Sequence, residues 1–561
     1  MQRVLLSGLA LVSASSVFAS RFLYGDYPVV ALSYGVFEGF TSGNVSSFLG
    51  IPYADPPVGD LRFRPARPPK PWIGVRNATA YGAACLQQGT IGSSQAGQLP
   101  FALPPFTYPI ANVTPIINES EDCLFVNVLT PASAQQDHGL PVLMWFFGGG
   151  YETGDSSSYP GAPIVERSLV LNEPVVFVSV NYRLNALGFL ASAEVQEAGA
   201  TNLGLRDQQL AMEWVHEHIS AFGGDPDKVI IWGESAGSES TGYHLLMHNG
   251  STRGLFRGAV MESGSPHAIS NVSDGQVYYD ELVQSTNCTG AADTLECLRH
   301  APLEALWAAV NATPSITSYQ SNNLAWQPRI DGNIIPYNPS RMIEDGVIAK
   351  VPIIAGDCED EGTIFALTSL NVTTDDEFRQ YIQVNYLFNL SDSDIDEVAQ
   401  AYPADPSLGS PFGTGSMYNI TPQYKRMAAF IGDVIFQAPR RFLLKHASKT
   451  QNAWAFRFKR NDDPYTGVYH TADIPEFFTD IDYIGTDALI YFAHYLNPNA
   501  PSNVASNVSY LSNITWPLWN SSMDAPPLLT FVDPVPSVNI TEDTYRLNQT
   551  DLLTQLFLQV S

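Results

Sequence analysis

The sequence predicts an α/β fold: a central, mostly parallel sheet with helices on both faces and long helical and loop insertions. Three observations carry this. Apolar runs at residues 124–129, 140–147, 175–180 and 229–232 are continuous rather than alternating, the pattern of strands buried on both faces. Between the last two, Leu210, Ala211, Trp214, Val215, His218, Ile219 and Phe222 recur at helical spacing, and Gly223-Gly224 ends the run. The strand at 229–232 then meets Gly233-Glu234-Ser235-Ala236-Gly237, and a helical pattern resumes near Ser238. Strand, helix, strand, helix in that order implies parallel pairing through crossovers.

The elements follow in order. Arg3 precedes an apolar run over residues 4–12, and residues 17–19 supply the cleavage position, so residues 1–19 read as a secretory signal peptide and 20–561 as one domain. Residues 31–50 alternate and turn on glycines, which suggests an antiparallel hairpin. Residues 56–63 then form an ordered proline-rich crossing of the surface. Within the stretch from Cys85 to Cys123, residues 99–106 are apolar and rich in proline, hence neither helix nor strand. Two readings stand for them: a packed surface loop, or a flap over an apolar cleft. After the elbow, runs at 255–261, 351–355 and 453–458 read as further strands. Residues 392–396 resemble the start of a calcium loop, but Glu397 stands where the sharp turn needs glycine, so they read as a helix N-terminus that favours carboxylates.

Composition narrows the partners. Apolar residues make up 45% and charged residues 15%, which suits a large core under a surface rich in Ser, Thr and Asn. The net charge, 28 − 56 = −28, argues against nucleic acid or an anionic membrane as partner. No later stretch has the length of a membrane span. About sixteen N-x-S/T sequons, among them Asn77, Asn112, Asn311, Asn371, Asn419 and Asn513, fit N-linked glycans and an extracellular location. In an oxidising compartment, sequence neighbours are the simplest cysteine pairing: Cys85 with Cys123, Cys288 with Cys297. Cys358 is left over, and no metal-ligand spacing includes it. His216-Glu217-His218 is no zinc motif, since side chains two apart on a helix face different ways.

A G-x-S-x-G pentapeptide where a strand turns into a helix is a nucleophile elbow, with Ser235 as nucleophile. Such a serine needs a base, an acid to orient it and donors for an oxyanion. In the elbow arrangement the chain order is serine, acid, histidine. His446, His470 and His494 come late enough; the first and last fall in helical patterns, and His470 sits where a loop can present it. An unperturbed histidine base places the acid limb of activity near pH ~6. The acid falls among Asp357, Glu359, Asp360 and Glu361, and spacing does not choose between them. Ala236, next after the serine, supplies one oxyanion N–H, and Gly148-Gly149-Gly150 can supply others. No Gly-Lys-Ser/Thr follows that glycine run, so a nucleotide loop is excluded.

Together these segments resemble the type-B carboxylesterase and lipase family, which includes secreted fungal lipases and, more distantly, cholinesterases. The shared markers are Gly50-Ile51-Pro52-Tyr53-Ala54, Ser120-Glu121-Asp122-Cys123-Leu124, Gly148-Gly149-Gly150, Asn181-Tyr182-Arg183, Asn202 through Gln208, Phe222 through Pro226, the elbow, and Asp360-Glu361-Gly362. The resemblance implies an α/β-hydrolase fold and ester hydrolysis without a cofactor or metal. It implies Glu361 as the acid, His470 as the base, and oxyanion donors at Gly149, Gly150 and Ala236. It also implies the two cysteine bridges and ion pairs Arg62–Glu121 and Arg183–Asp207. Phe147 stands where many esterases of the family carry histidine, as in the secreted lipases, and the Cys85 to Cys123 stretch lacks the tryptophan with which cholinesterases hold quaternary ammonium. The expected substrate is therefore a small-molecule or lipid carboxylic ester. The alternatives are a triacylglycerol or sterol ester lipase with a flap and a lipid-interface contact, and a non-catalytic adhesion or scaffold member of the fold.

Overall fold

A computed structural model describes residues 20–24, 27–88, 118–478 and 481–559; the expected signal peptide and the 99–106 segment lie outside the described residues. Fifteen strands occur among the described residues. The first three are β1 (Ser20–Tyr24), β2 (Tyr27–Leu32) and β3 (Gly35–Glu38), followed by β4 (Phe40–Ser42), β5 (Val45–Pro52) and β6 (Val75–Asn77). Next come β7 (Phe125–Pro131), β8 (Leu140–Phe146), β9 (Val176–Val180), β10 (Gly224–Glu234) and β11 (Gly258–Glu262). The last are β12 (Ile353–Cys358), β13 (Ala453–Lys459), β14 (Pro527–Val532) and β15 (Ser537–Glu542). A small sheet has the order β1-β2-β3-β6. The large one has eleven strands in the order β15-β14-β13-β12-β11-β10-β8-β9-β7-β5-β4.

From β9 through β8 to β14 every pairing in the large sheet is parallel. Antiparallel pairs close both edges, β15 on β14 and the β7, β5, β4 group on β9. Every residue of β8, β9, β11 and β12 is buried, which is why their sequences do not alternate. Trp145 and Trp232 pair in register on β8 and β10 with ring centroids 4.5 Å apart, and Phe478 stacks on Trp232 at 4.7 Å. The helix Leu203–His218 precedes β10, and the helix Ala236–Gly250 follows it directly.

Several expected bounds shift for local reasons. Residues 31–50 form two hairpins instead of one, β2 with β3 in the small sheet and β4 with β5 in the large one. The run at 255–261 becomes strand only from Gly258, because Arg253 and Gly254 take left-handed backbone and fold residues 252–255 into a turn. The run at 351–355 starts at Ile353, after Pro352, which has no N–H to give a ladder, and continues to Cys358. Two of the four candidate acids are thus placed on or against the strand end. Residues 392–396 do open a helix, Asp392–Ala401, capped by Ser391 in a reciprocal capping box with Asp394.

Both cysteine bridges are present, Cys85–Cys123 and Cys288–Cys297. Arg62 meets Glu121 at 2.6 Å, partly buried, and Arg183 meets Asp207 at 2.8 Å, fully buried. Among the described residues no helix is long and apolar enough to cross a membrane.

Candidate active site

Three parallel strands deliver the site at their C-terminal ends, where open α/β sheets place ligands. β10 ends at Glu234, and the chain reverses into the helix beginning at Ala236. The turn between them holds Ser235 at φ 54° and ψ −127°, a region that L-residues rarely occupy. The Ser235 N–H donates to Glu262 O at 2.9 Å and so fixes the turn to β11. Gly237 sits so close to β8 that a Cβ there would lie 2.0 Å from Phe146 O. Tightness of this kind explains why the motif needs glycine.

The acid and the histidine arrive on loops stitched to each other. The Asp360 N–H donates to Val468 O, the Val468 N–H donates back to Asp360 Oδ2, and the Thr363 hydroxyl donates to Thr466 O. This lattice brings His470 Nδ1 to 2.6 Å from Glu361 Oε2, the N–H donating to the carboxylate. Glu361 Oε1 accepts from the Cys358 N–H at 2.6 Å. Phe365 and Phe436 flank the imidazole with centroids at 5.2 and 4.7 Å. His446 and His494 lie in the helices Ala438–Ala447 and Ile484–Tyr495, as their patterns implied.

The four carboxylates differ in what they touch. Asp357 pairs with Arg440 at 2.7 Å, Glu359 pairs with Arg457, and Asp360 accepts from Ser410, Phe412 and Val468. Of the four, Glu361 alone touches His470. Burial raises the Glu361 carboxyl above its ordinary range, opposed by the Ser263 hydroxyl and the Cys358 N–H. Burial likewise lowers His470 to about 4, offset in part by Asp473, Glu239 and Asp357.

Gly149 and Gly150 take φ of 107° and 63°, and no hydrogen bond among the described residues uses either N–H. Ala236 opens its helix, so its N–H has no acceptor within that helix. Gly150, Ser235 and Ala236 line one cleft; Gly149 is not among its lining residues. Ile316, Leu324, Phe365, Ile435 and Phe436 contribute apolar surface to it, and Tyr151, Glu239, His267, Asn322 and Gln327 contribute polar groups.

Sequence reasoning missed several of these groups. Glu234, to which it gave no role, is buried with Oε1 3.4 Å from His470 Nε2. That nitrogen has no hydrogen-bond partner among the described residues. Asp473, three residues beyond His470, is buried beside the pair, and burial followed by Glu361 raises its carboxyl to about 7. Glu239 was legible only as one helical turn beyond Ser235. Cys358 is fully buried at the end of β12, with burial pushing its thiol up.

With this geometry in place, comparison with known proteins assigns the chain. Residues 26–490 match the model of the Carboxylesterase family. The chain belongs to the carboxylesterase family, and with it to the serine carboxylic ester hydrolases of α/β-hydrolase fold. Lipase 4 of Diutina rugosa is 39% identical over 486 residues, covering 85% of this chain and 86% of that protein. Secreted lipase 1 of Botryotinia fuckeliana is 38% identical over 502 residues, covering 86% and 85%. Among solved structures, EstA of Aspergillus niger superposes with a TM-score of 0.79 at 28% identity, over 95% of this chain and 99% of that one.

Proposed function

We propose that this carboxylesterase cleaves its ester through Ser235, His470 and Glu361. The observation that carries the proposal is the 2.6 Å contact of His470 with Glu361, delivered to the same sheet end as a strained Ser235. His470 takes the Ser235 proton as the hydroxyl attacks the ester carbonyl, and Glu361 holds the imidazole in the tautomer whose Nε2 is free. The carbonyl oxygen becomes an oxyanion that the N–H groups of Gly149, Gly150 and Ala236 stabilise. His470 returns the proton to the departing alcohol and leaves an acyl-Ser235 ester. Water, deprotonated by the same histidine, then releases the acid.

Residues 20–561 act as one domain, exported by the signal peptide at residues 1–19 and carrying N-linked glycans. The secreted relatives support that location. Pre-steady-state hydrolysis of a p-nitrophenyl ester tests the mechanism. The expected trace is a burst of one nitrophenolate per enzyme followed by a slower steady rate. A linear trace, with release no faster than turnover and no acyl adduct trapped by acid quench, would count against an acyl-enzyme.

A second reading, a lipase acting at a lipid interface, draws support from the relatives named as lipases at 36–40% identity. Rates on esters of increasing acyl length, below and above their solubility limit, separate the two. A jump on aggregated long-chain ester means lipase, and a smooth fall means esterase.

A further inference from the structure

The cleft that holds Ser235 is lined by apolar side chains together with a carboxyl, Glu239, whose side chain is 13% exposed. Glu239 lies one helical turn beyond Ser235, where its N–H donates to Ser235 O at 2.8 Å, so both side chains face the same cleft. Its Oε2 accepts from the Tyr151 hydroxyl at 3.1 Å. Its Oε1 receives no hydrogen bond among the described residues; the nearest base, His267 Nδ1, is 3.8 Å away. His267, Asn322 and Gln327 also line a neighbouring cleft, where Ser270, Asn323 and Asn385 mix with apolar Ile269, Phe388 and Val434, so hydrogen-bonding groups continue outward from the nucleophile.

A carboxyl with an open acceptor in a partly enclosed cleft is an unfavourable neighbour for an alkyl chain, which would strip hydration from Oε1 and give no hydrogen bond in return. A group that donates a hydrogen bond restores the lost partner. Sites built this way discriminate steeply against analogues that lack the donor, whereas purely apolar pockets discriminate weakly.

We infer that Glu239, fixed by Tyr151, selects esters that carry a hydrogen-bond donor, a hydroxyl or amine, a few bonds from the scissile carbonyl. This rests on Ser235 being the nucleophile of the cleft and adds to it the substrate class. It sets the enzyme apart from one that takes plain alkyl chains.

The test compares matched esters on each side of the bond: ethyl 6-hydroxyhexanoate against ethyl heptanoate, and 2,3-dihydroxypropyl butanoate against propyl butanoate. Rates are expressed per site labelled by a fluorophosphonate, so that loss of Ser235 reactivity, which would refute the nucleophile itself, is read separately. The expected result is kcat/KM at least about tenfold higher for the donor-bearing member of one pair in the wild type. Glu239→Met removes that preference, and Glu239→Gln, which keeps the shape and loses the carboxylate, reduces it. Equal rates within both pairs for the wild type would overturn the inference. So would a preference that neither variant moves. Should Glu239→Met fail to label, Glu239→Gln decides by the same ratio.

Discussion

Glu361 shows at the residue scale what contact adds to sequence. Four acids occupy five positions, and their order along the chain does not separate them. Each is claimed by a different partner: arginines hold Asp357 and Glu359, backbone and Ser410 hold Asp360, and His470 holds Glu361. The elbow at Ser235 was legible because its motif is local, while the contact of Glu361 with His470 depends on two loops 109 residues apart. Burial opposes charge on both members of the His470–Glu361 pair, and that changes the expected pH dependence. In the proposed mechanism the base works only as neutral imidazole, so activity is expected to be lost as pH falls through the His470 pKa. Because burial lowers that pKa to about 4, the acid limb of kcat/KM lies below the pH ~6 of an unperturbed histidine. A pH–rate profile with its acid midpoint between 6 and 7 would contradict this. Glu361→Gln leaves the imidazole without its carboxylate and lowers kcat by about 10³–10⁴, with a thermal melt close to that of the wild type. Cys358 is enclosed, so iodoacetamide leaves native activity intact, and peptide mapping finds the label on Cys358 only after denaturation.

Among the elements, the strand-elbow-helix unit places most constraint on its residues. β10 gives Ser235 its position only because Gly237 lets the helix start against β8. Gly237→Ala forces a Cβ into Phe146 O and costs about 3 kcal/mol or more, seen as a lower melting temperature together with lost activity. A Gly237→Ala protein with unchanged melting and rate would show that the turn is looser than its geometry. Elements that sequence placed well are those whose signal is internal, such as the continuous apolar strands β8, β9 and β10 and the 3.6-residue period before β10. Elements it placed poorly depend on distant pairing. The 31–50 stretch splits between two sheets because its strands take partners in different places, β6 on one side and β7 on the other. Nothing within residues 31–50 records that choice.

Across the whole molecule, the large parallel sheet, both cysteine bridges and the Arg62–Glu121 and Arg183–Asp207 pairs were legible before the coordinates, the ion pairs through family resemblance. The cleft's polar groups were not, since Tyr151, Glu239, His267, Asn322 and Gln327 come from four separate stretches and converge only in space. The bridges span 38 and 9 residues, for which chain entropy gives about 4 and 3 kcal/mol respectively. Replacing each pair by serine therefore lowers stability more at Cys85–Cys123 than at Cys288–Cys297, checked by denaturant titration of the two variants. The reverse order would mean that native-state contacts outweigh loop closure. All of this architecture converges on one hydroxyl. Incubation with a fluorophosphonate, followed by peptide mapping, is the direct measurement. The account predicts stoichiometric adduct on Ser235, with labelling slowed strongly by His470→Ala; adduct on any other serine, or labelling indifferent to His470, would contradict it.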